Sequence, residues 1–307
     1  MAQYTSLEAR IDAAAHRVLE RLPANGIAGA LVEFLVFGLK QAWACLFGGI
    51  MLGLMLATRL YWPEAMPLAR YDFLFLAAVL VQIGMLAFKL ETLDEAKVIV
   101  IFHVVGTIME IFKTGAGSWV YPEESFFRIA GVPLFSGFMY ACVGSYMTRI
   151  QRIFDIRFNR YPPFWTTVVL CLAIYVNFFT HHFFHDLRYL LFAATVVLYL
   201  PTMMHYRVFR FWHRMPMLLA FVLVALFIWI AENIGTWSRA WVYPGQAETW
   251  SPVAFEKLGS WFLLMIISVV LVTWVHRPRQ PDYGAQRRID LPTSGVNVRS
   301  PKQPVTD

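Results

Sequence analysis

Two glutamates sit inside long apolar runs of this sequence, and each leads into the same aromatic tetrad. Ile108-Met109-Glu110 runs on to Trp119-Val120-Tyr121-Pro122. Ile230-Ala231-Glu232 runs on at equal spacing to Trp241-Val242-Tyr243-Pro244, with Thr114 matched by Thr236. A carboxyl in hydrocarbon is costly unless paired or hydrated, so its presence there needs a reason. Brought together, two such carboxyls hold different protonation states, one serving as acid and the other as base. His103, Thr107 and Glu110 recur at i, i+4 and i+7 on one helix face, which adds His103 to the catalytic candidates. Trp119, Tyr121, Trp241 and Tyr243 would pack a hydrophobic substrate above the carboxyls, with Lys113 and Asn233 as polar neighbours. The plainer reading gives the glutamates to loop backbone or to ion pairs with Lys113 or Arg239. It leaves the aromatic rings at the headgroup level of a bilayer.

A second group, His181-His182-Phe183-Phe184-His185-Asp186, closes another apolar run. On a continuing helix His181 shares a face with His185, and His182 with Asp186, a spacing that suits a divalent metal. Hydrogen-bonded interfacial histidines are the preferred reading, so no cofactor is expected and a divalent metal is the alternative. No Walker loop, GxGxxG, HExxH or GxSxG element occurs. Cys45, Cys142 and Cys171 all fall in apolar runs without a CxxC, which supports neither a disulfide framework nor a zinc knuckle.

The elements that must position these residues follow from composition. Over 307 residues the chain is 58% hydrophobic, 16% aromatic and 15% charged, against about 25% charged in a soluble domain. Too few charges remain to cover a soluble surface, so the expected fold is all-α, an integral membrane helical bundle. A span needs about 20 mostly apolar residues. Eight runs qualify: 34–57, 72–90, 97–113, 126–148, 164–183, 187–204, 215–236 and 256–275. They are too uniformly apolar for barrel strands. Each copy of the repeat closes a span and enters an outward loop, with four spans between copies. That spacing predicts a parallel 4+4 repeat with halves 33–148 and 164–276.

Ahead of the transmembrane domain (33–276), residues 1–32 hold an amphipathic helix. Leu7, Ile11, Ala14, Val18 and Leu22 form its apolar stripe, and Leu22-Pro23-Ala24-Asn25-Gly26 ends it. No cleavable signal peptide is expected, because the first thirty residues lack an apolar core and carry Glu8, Asp12 and Glu20. Residues 277–307 read as a disordered tail. The net charge of +6 comes from short basic clusters between apolar runs: Arg10, Arg17, Arg21; Lys89, Lys97; Arg149, Arg152, Arg157, Arg160; Arg207, Arg210, Arg214. Positive charge retained inside explains them and places both termini in the cytoplasm. No nucleic-acid groove is implied. Lys40, in the first run, is expected to snorkel to the inner surface.

The stretch His103-Val-Val-Gly-Thr-Ile-Met-Glu110-Ile-Phe-Lys113, with Gly117-Ser-Trp-Val-Tyr-Pro-Glu123 and the second block Ala231-Glu-Asn…Ala240-Trp-Val-Tyr-Pro-Gly-Gln246, resembles the YoaT-like family of bacterial multi-pass membrane proteins, which carries a domain-of-unknown-function label. The resemblance spans roughly 30–276 by the span count. It implies an integral protein of the bacterial cytoplasmic membrane and no particular activity. A fainter likeness is to membrane carotenoid cyclases and hydratases, through the buried Glu, the Gly-rich turn, the W-x-Y element and Gly131-Val132-Pro133-Leu134. Those families protonate double bonds with acidic residues and no redox cofactor. Their P-x-E-E element is missing here, since Phe135 and Ser136 follow, and only Glu110 is carried over.

These readings converge on an acid–base enzyme working on a lipid-phase, isoprenoid-like substrate, with the bilayer and that substrate as partners. The alternative is a small-solute or proton-coupled transporter that uses the same glutamates. The sequence sets no oligomeric state.

Overall fold

A computed structural model describes residues 5–281 apart from 24, 64 and 182, and for Leu7 the backbone alone. Most of the tail expected from 277 therefore lies outside the described residues. Among them ten α-helices carry the architecture: α1 Ser6–Leu19, α2 Gly26–Ala44, α3 Leu46–Tyr61, α4 Arg70–Ala87, α5 Leu93–Gly115, α6 Phe135–Ile153, α7 Phe164–Thr180, α8 Arg188–Tyr199, α9 Met217–Trp237 and α10 Lys257–Val275. Five of these, α2, α4, α5, α9 and α10, are long and apolar enough to cross a membrane, while α3, α7 and α8 are shorter apolar helices. The outer surface fits that reading. Leu31, Phe34, Leu39, Leu80, Val197 and Trp274 are 57–76% exposed, a greasy exterior that water would penalise and lipid would not.

The structure redraws several expected boundaries. The run 34–57 is not one straight span. The backbone turns at Cys45, whose N–H closes α2 on Gln41 O (2.9 Å), and Gly49 N–H restarts α3 on Cys45 O (2.7 Å). The run expected from 126 becomes helical only at Phe135, because the preceding segment folds into a short hairpin of β1 (Arg128–Ile129) and β2 (Val132–Pro133) turning through Ala130 and Gly131 at positive φ. The all-α expectation is corrected in the same way at the other end. There β3 (Arg157–Asn159), β4 (Met203–Arg207) and β5 (Trp212–Pro216) form a three-stranded antiparallel sheet. These segments are rich in Arg and His and cannot continue as apolar helix, so their backbone groups find partners in a ladder instead.

Helices α5 and α6 pack at close quarters because small residues face their partner. A Cβ on Gly106 would fall 2.5 Å from Tyr140 Cγ, and one on Gly144 would fall 2.9 Å from Phe102. Helix α10 packs against α5, α6, α7 and α9 and so runs through the centre of the bundle. Val98, Phe102, Ile266, Val270 and Phe221 belong to the main apolar core.

The basic end of the bundle is held by buried charge. Arg152 on α6 meets Glu95 of α5 (2.9 Å) and also Glu8 of α1. Glu8 further accepts from Trp43 Nε1 (3.0 Å), and Arg149, fully buried, donates to Leu90 O (3.1 Å). Arg210 caps α1 through Leu19 O (2.9 Å) and Pro23 O (3.0 Å). The N-terminal helix is thus docked by its polar face, while Ile11, Val18 and Leu22 of its apolar stripe point outward. Lys40 donates to Val208 O (2.6 Å) and Ile153 O (3.3 Å), so its ammonium is received by backbone carbonyls at this end. Orientation alone does not account for Arg149 and Arg152, which are core residues.

Breaking a buried ion pair from one side costs about 3–5 kcal/mol, whereas an exposed pair contributes about 0–1 kcal/mol. Arg152→Ala should therefore lower the thermal midpoint of the detergent-solubilised protein clearly. Lys97→Ala, which removes an exposed pair with Asp94, should leave it unchanged.

Candidate functional site

At the opposite end each repeat folds back onto its own helix. Helix α5 closes with Ser118 N–H on Lys113 O (2.9 Å), and α9 closes equivalently with Ala240 N–H on Gly235 O (3.1 Å). Gly117 and Arg239 occupy the left-handed position that this cap requires. The two tetrads then meet. Val120 and Val242 exchange both backbone hydrogen bonds, each 3.0 Å, in an isolated antiparallel bridge.

The reversal carries the aromatic tips down to the glutamates. Glu110 Oε2 accepts from Trp119 Nε1 (2.7 Å) and Tyr121 OH (2.6 Å), and Oε1 accepts from Tyr140 OH of α6 (2.8 Å). Glu232 Oε2 accepts from Trp261 Nε1 of α10 (2.6 Å), and its Oε1 from Tyr243 OH. Each glutamate takes its own tyrosine 11 residues on, and a second aromatic donor from the following helix 30 or 29 residues on. The expected partners, loop backbone or Lys113 and Arg239, are not what holds the carboxylates. Both are buried, Glu110 at 5% and Glu232 at 4% exposed, and among the described residues no ion pair reaches either.

The chemistry of these donors differs. An indole N–H can only donate, so the oxygen facing it is fixed as an acceptor. A phenol both donates and accepts, so the oxygen facing it can carry a proton by reversing the bond. In both glutamates Oε2 faces an indole and Oε1 a phenol alone, which gives each carboxyl a defined proton-carrying side. Tyr121 and Tyr243 lie outside the helices. Burial first, and then the neighbouring carboxylate, push both phenols well above their ordinary range, which keeps them protonated donors.

Both carboxylates line one cavity of about 290 Å³, at the lower edge of the ~300–1,000 Å³ typical of ligand pockets. Trp119, Tyr121, Trp241, Tyr243 and Lys113 line it with them, as do Tyr140, Trp261, Lys257, Arg188 and His181. The cavity continues between apolar side chains as far as Cys45 and Tyr146. Trp241 bonds neither glutamate, and its ring packs on Gly235.

Other candidates lie elsewhere. His103 packs on Phe138 (4.5 Å between centroids) and against Gly137, away from the cavity wall. Asn233 braces a loop, accepting from Val253 N–H (2.9 Å) and donating to Trp229 O (2.8 Å). The histidine group loses its helical register. Helix α7 stops at Thr180, where His181 N–H bonds Asn177 O and Asn177 Oδ1 accepts Leu187 N–H (3.0 Å). His181 therefore turns to Lys113 (3.3 Å), and Asp186 pairs with Arg188 (2.9 Å). Among the described residues no three potential ligands gather for a metal, and His182 lies outside them. His185 is exposed. Tyr140 and Trp261 are the donors to the glutamates that the sequence reading missed. Their similar distance downstream of each glutamate, 30 and 29 residues, was the available signal.

A polytopic helical bundle with a carboxylate-bearing cavity at one end defines the class. Residues 33–269 match the family described as Protein of unknown function (DUF817), and the chain belongs to that family. It is 44% identical over 243 residues to "Uncharacterized protein YoaT" of Bacillus subtilis (strain 168), covering 79% of this chain and 91% of that protein. The resemblance to the YoaT-like family read from the sequence is thereby borne out. No solved structure matches the chain.

The glycines under the site make its geometry testable. Gly106→Ala presses on Tyr140 and Gly235→Ala on Trp241, and overpacking costs about 1–3 kcal/mol. Both should lower the thermal midpoint, whereas Gly84→Ala, with open space around it, should not.

Proposed function

We propose that this protein is an integral membrane enzyme that carries out acid–base chemistry on a lipid-phase substrate, with Glu110 and Glu232 as proton donor and acceptor. The observation that carries this reading is the pair of carboxylates on one largely apolar cavity, each held, among the described residues, by indole and phenol donors. Fixed donors hold the carboxylates in place before substrate arrives, and the reversible phenols Tyr140 and Tyr243 give each a route for its proton. The apolar walls suit an isoprenoid-like chain.

The finer architecture belongs to the same proposal. The bundle is read as eight spans in two parallel halves, 33–148 and 164–276, in which α2 and α3 together make the bent first span, with both termini on the cytoplasmic side of the bacterial inner membrane. Supporting it, α3 packs on α4 and α6 as α7 packs on α8 and α10, and α5 pairs with α6 as α9 pairs with α10. The reciprocal Val120–Val242 bridge lies where a two-fold axis between the halves would pass. Such a repeat equally favours a transporter with its site between halves.

One comparison separates the two. Lipid extracts of cells expressing the parent protein should contain a product that is absent with Glu110→Gln or Glu232→Gln, at equal amounts of folded protein in the membrane. Unchanged lipids, together with a proton-coupled uptake that both substitutions abolish in proteoliposomes, would replace the enzyme with the transporter.

A further inference from the structure

Two residues that line the carboxylate cavity also belong to the outer face of the bundle. On α9, Leu223, Phe227 and Ile230 recur at i, i+4 and i+7 and share one helix face, where they are 48%, 53% and 47% exposed. Phe227 lines the cavity, whereas Leu223 and Ile230 do not. On α3, Gly49, Gly53 and Ala57 form an exposed row at four-residue spacing, and of these three only Gly49 lines the cavity. Helices α3 and α9 pack on each other. The cavity thus reaches the bundle surface between them, at Gly49 and Phe227. A Cβ on Gly49 would find no atom within 4 Å, so the missing side chain leaves this place open.

Helix α9 sets the depth of this opening. Phe227 is the midpoint of Met217–Trp237, a helix long and apolar enough to cross a membrane, so in a bilayer the opening lies among lipid tails. Glu232 follows about 7.5 Å further along the same helix axis. Next to the two outward residues the lining is apolar, with Val224 and Ile228 on α9 and Leu52 on α3. The cavity of about 290 Å³ holds about ten water-sized groups at ~30 Å³ each, the volume of one hydrocarbon chain rather than two. A charged head entering here would have to cross hydrocarbon, which is unfavourable. We infer that the gap between α3 and α9 at Gly49 and Phe227 is a lateral entrance, through which a neutral single-chain lipid passes from the bilayer to Glu110 and Glu232. This rests on the lipid-phase reading above and narrows its substrate class to an uncharged chain taken up from the side.

The test places the full chain in phosphatidylcholine nanodiscs and photolyses it with decane carrying a mid-chain diazirine, with adducts mapped by mass spectrometry. The readout is labelling of Ile174 and Leu263, buried residues of the cavity wall, relative to Leu223 on the outer face of α9. Both inner residues should be labelled in the parent. Gly49→Trp, which fills the opening, should lower the inner-to-outer ratio about tenfold, and Gly49→Leu should lower it partway. Gly53→Trp, one turn along the same outer row and off the cavity, should leave the ratio unchanged, which separates blockage from misfolding. The same diazirine in one chain of a phosphatidylcholine should label Leu223 but leave Ile174 and Leu263 nearly unlabelled. Equal inner labelling by that probe would overturn the single-chain assignment. No inner labelling in the parent, a ratio that survives Gly49→Trp, or an equal fall with Gly53→Trp would overturn the entrance. Glu110→Gln and Glu232→Gln should keep the parent's ratio, so loss of the chemistry and loss of the entrance read separately.

Discussion

The site end of the bundle depends on one requirement: a carboxylate buried among apolar helices must have its oxygens occupied. Glu110 and Glu232 meet it with aromatic donors, and most of the local structure follows. The helices must end in tight left-handed caps so that the chain reverses over them. Gly106 must lack a side chain so that Tyr140 can reach Glu110, and Gly235 must do so for Trp241 to lie flat. Neutral donors stabilise a carboxylate without quenching its charge as a salt bridge would. Lys257 of the same cavity lies over the rings of Tyr243 and Trp119.

The far end solves a similar problem by the opposite means. There Arg152, Glu95 and Glu8 pair cation to anion, and backbone carbonyls receive Lys40. Ion pairs of this kind contribute little net stability over an apolar core, but removing one partner leaves a buried charge uncompensated and is costly. One end therefore locks α1, α5 and α6 into place, and the other holds groups that can exchange protons.

Much of this was legible in the chain. Span content is a matter of composition, and the runs expected at 72–90, 164–183 and 215–236 overlap α4, α7 and α9 closely. The glutamate–tetrad repeat was visible as matched spacing, and its two copies do meet in one cavity. What escaped were features that depend on contact between distant segments. Arg149 and Arg152 looked like loop charges because burial is not written in local sequence. Tyr140 and Trp261 sit in apolar helices, where an aromatic residue reads as packing until its acceptor is known. The histidine group was read on a continuing helix, whereas α7 ends at Thr180 and Asn177 Oδ1 accepts from Leu187 N–H, so His181 and His185 do not share a helix face.

The bridge between Val120 and Val242 is made entirely by main chain. Its strength does not depend on which side chains the two loops carry, provided neither position becomes proline. The coupling between the two carboxylate-bearing loops is therefore insensitive to drift around it. One glutamate's surroundings can change, as Trp261 in place of a second tyrosine already illustrates, without loosening the other's. On the acid–base proposal, two loops joined in this way are free to divide their labour, with one glutamate serving as the acid and the other as the base.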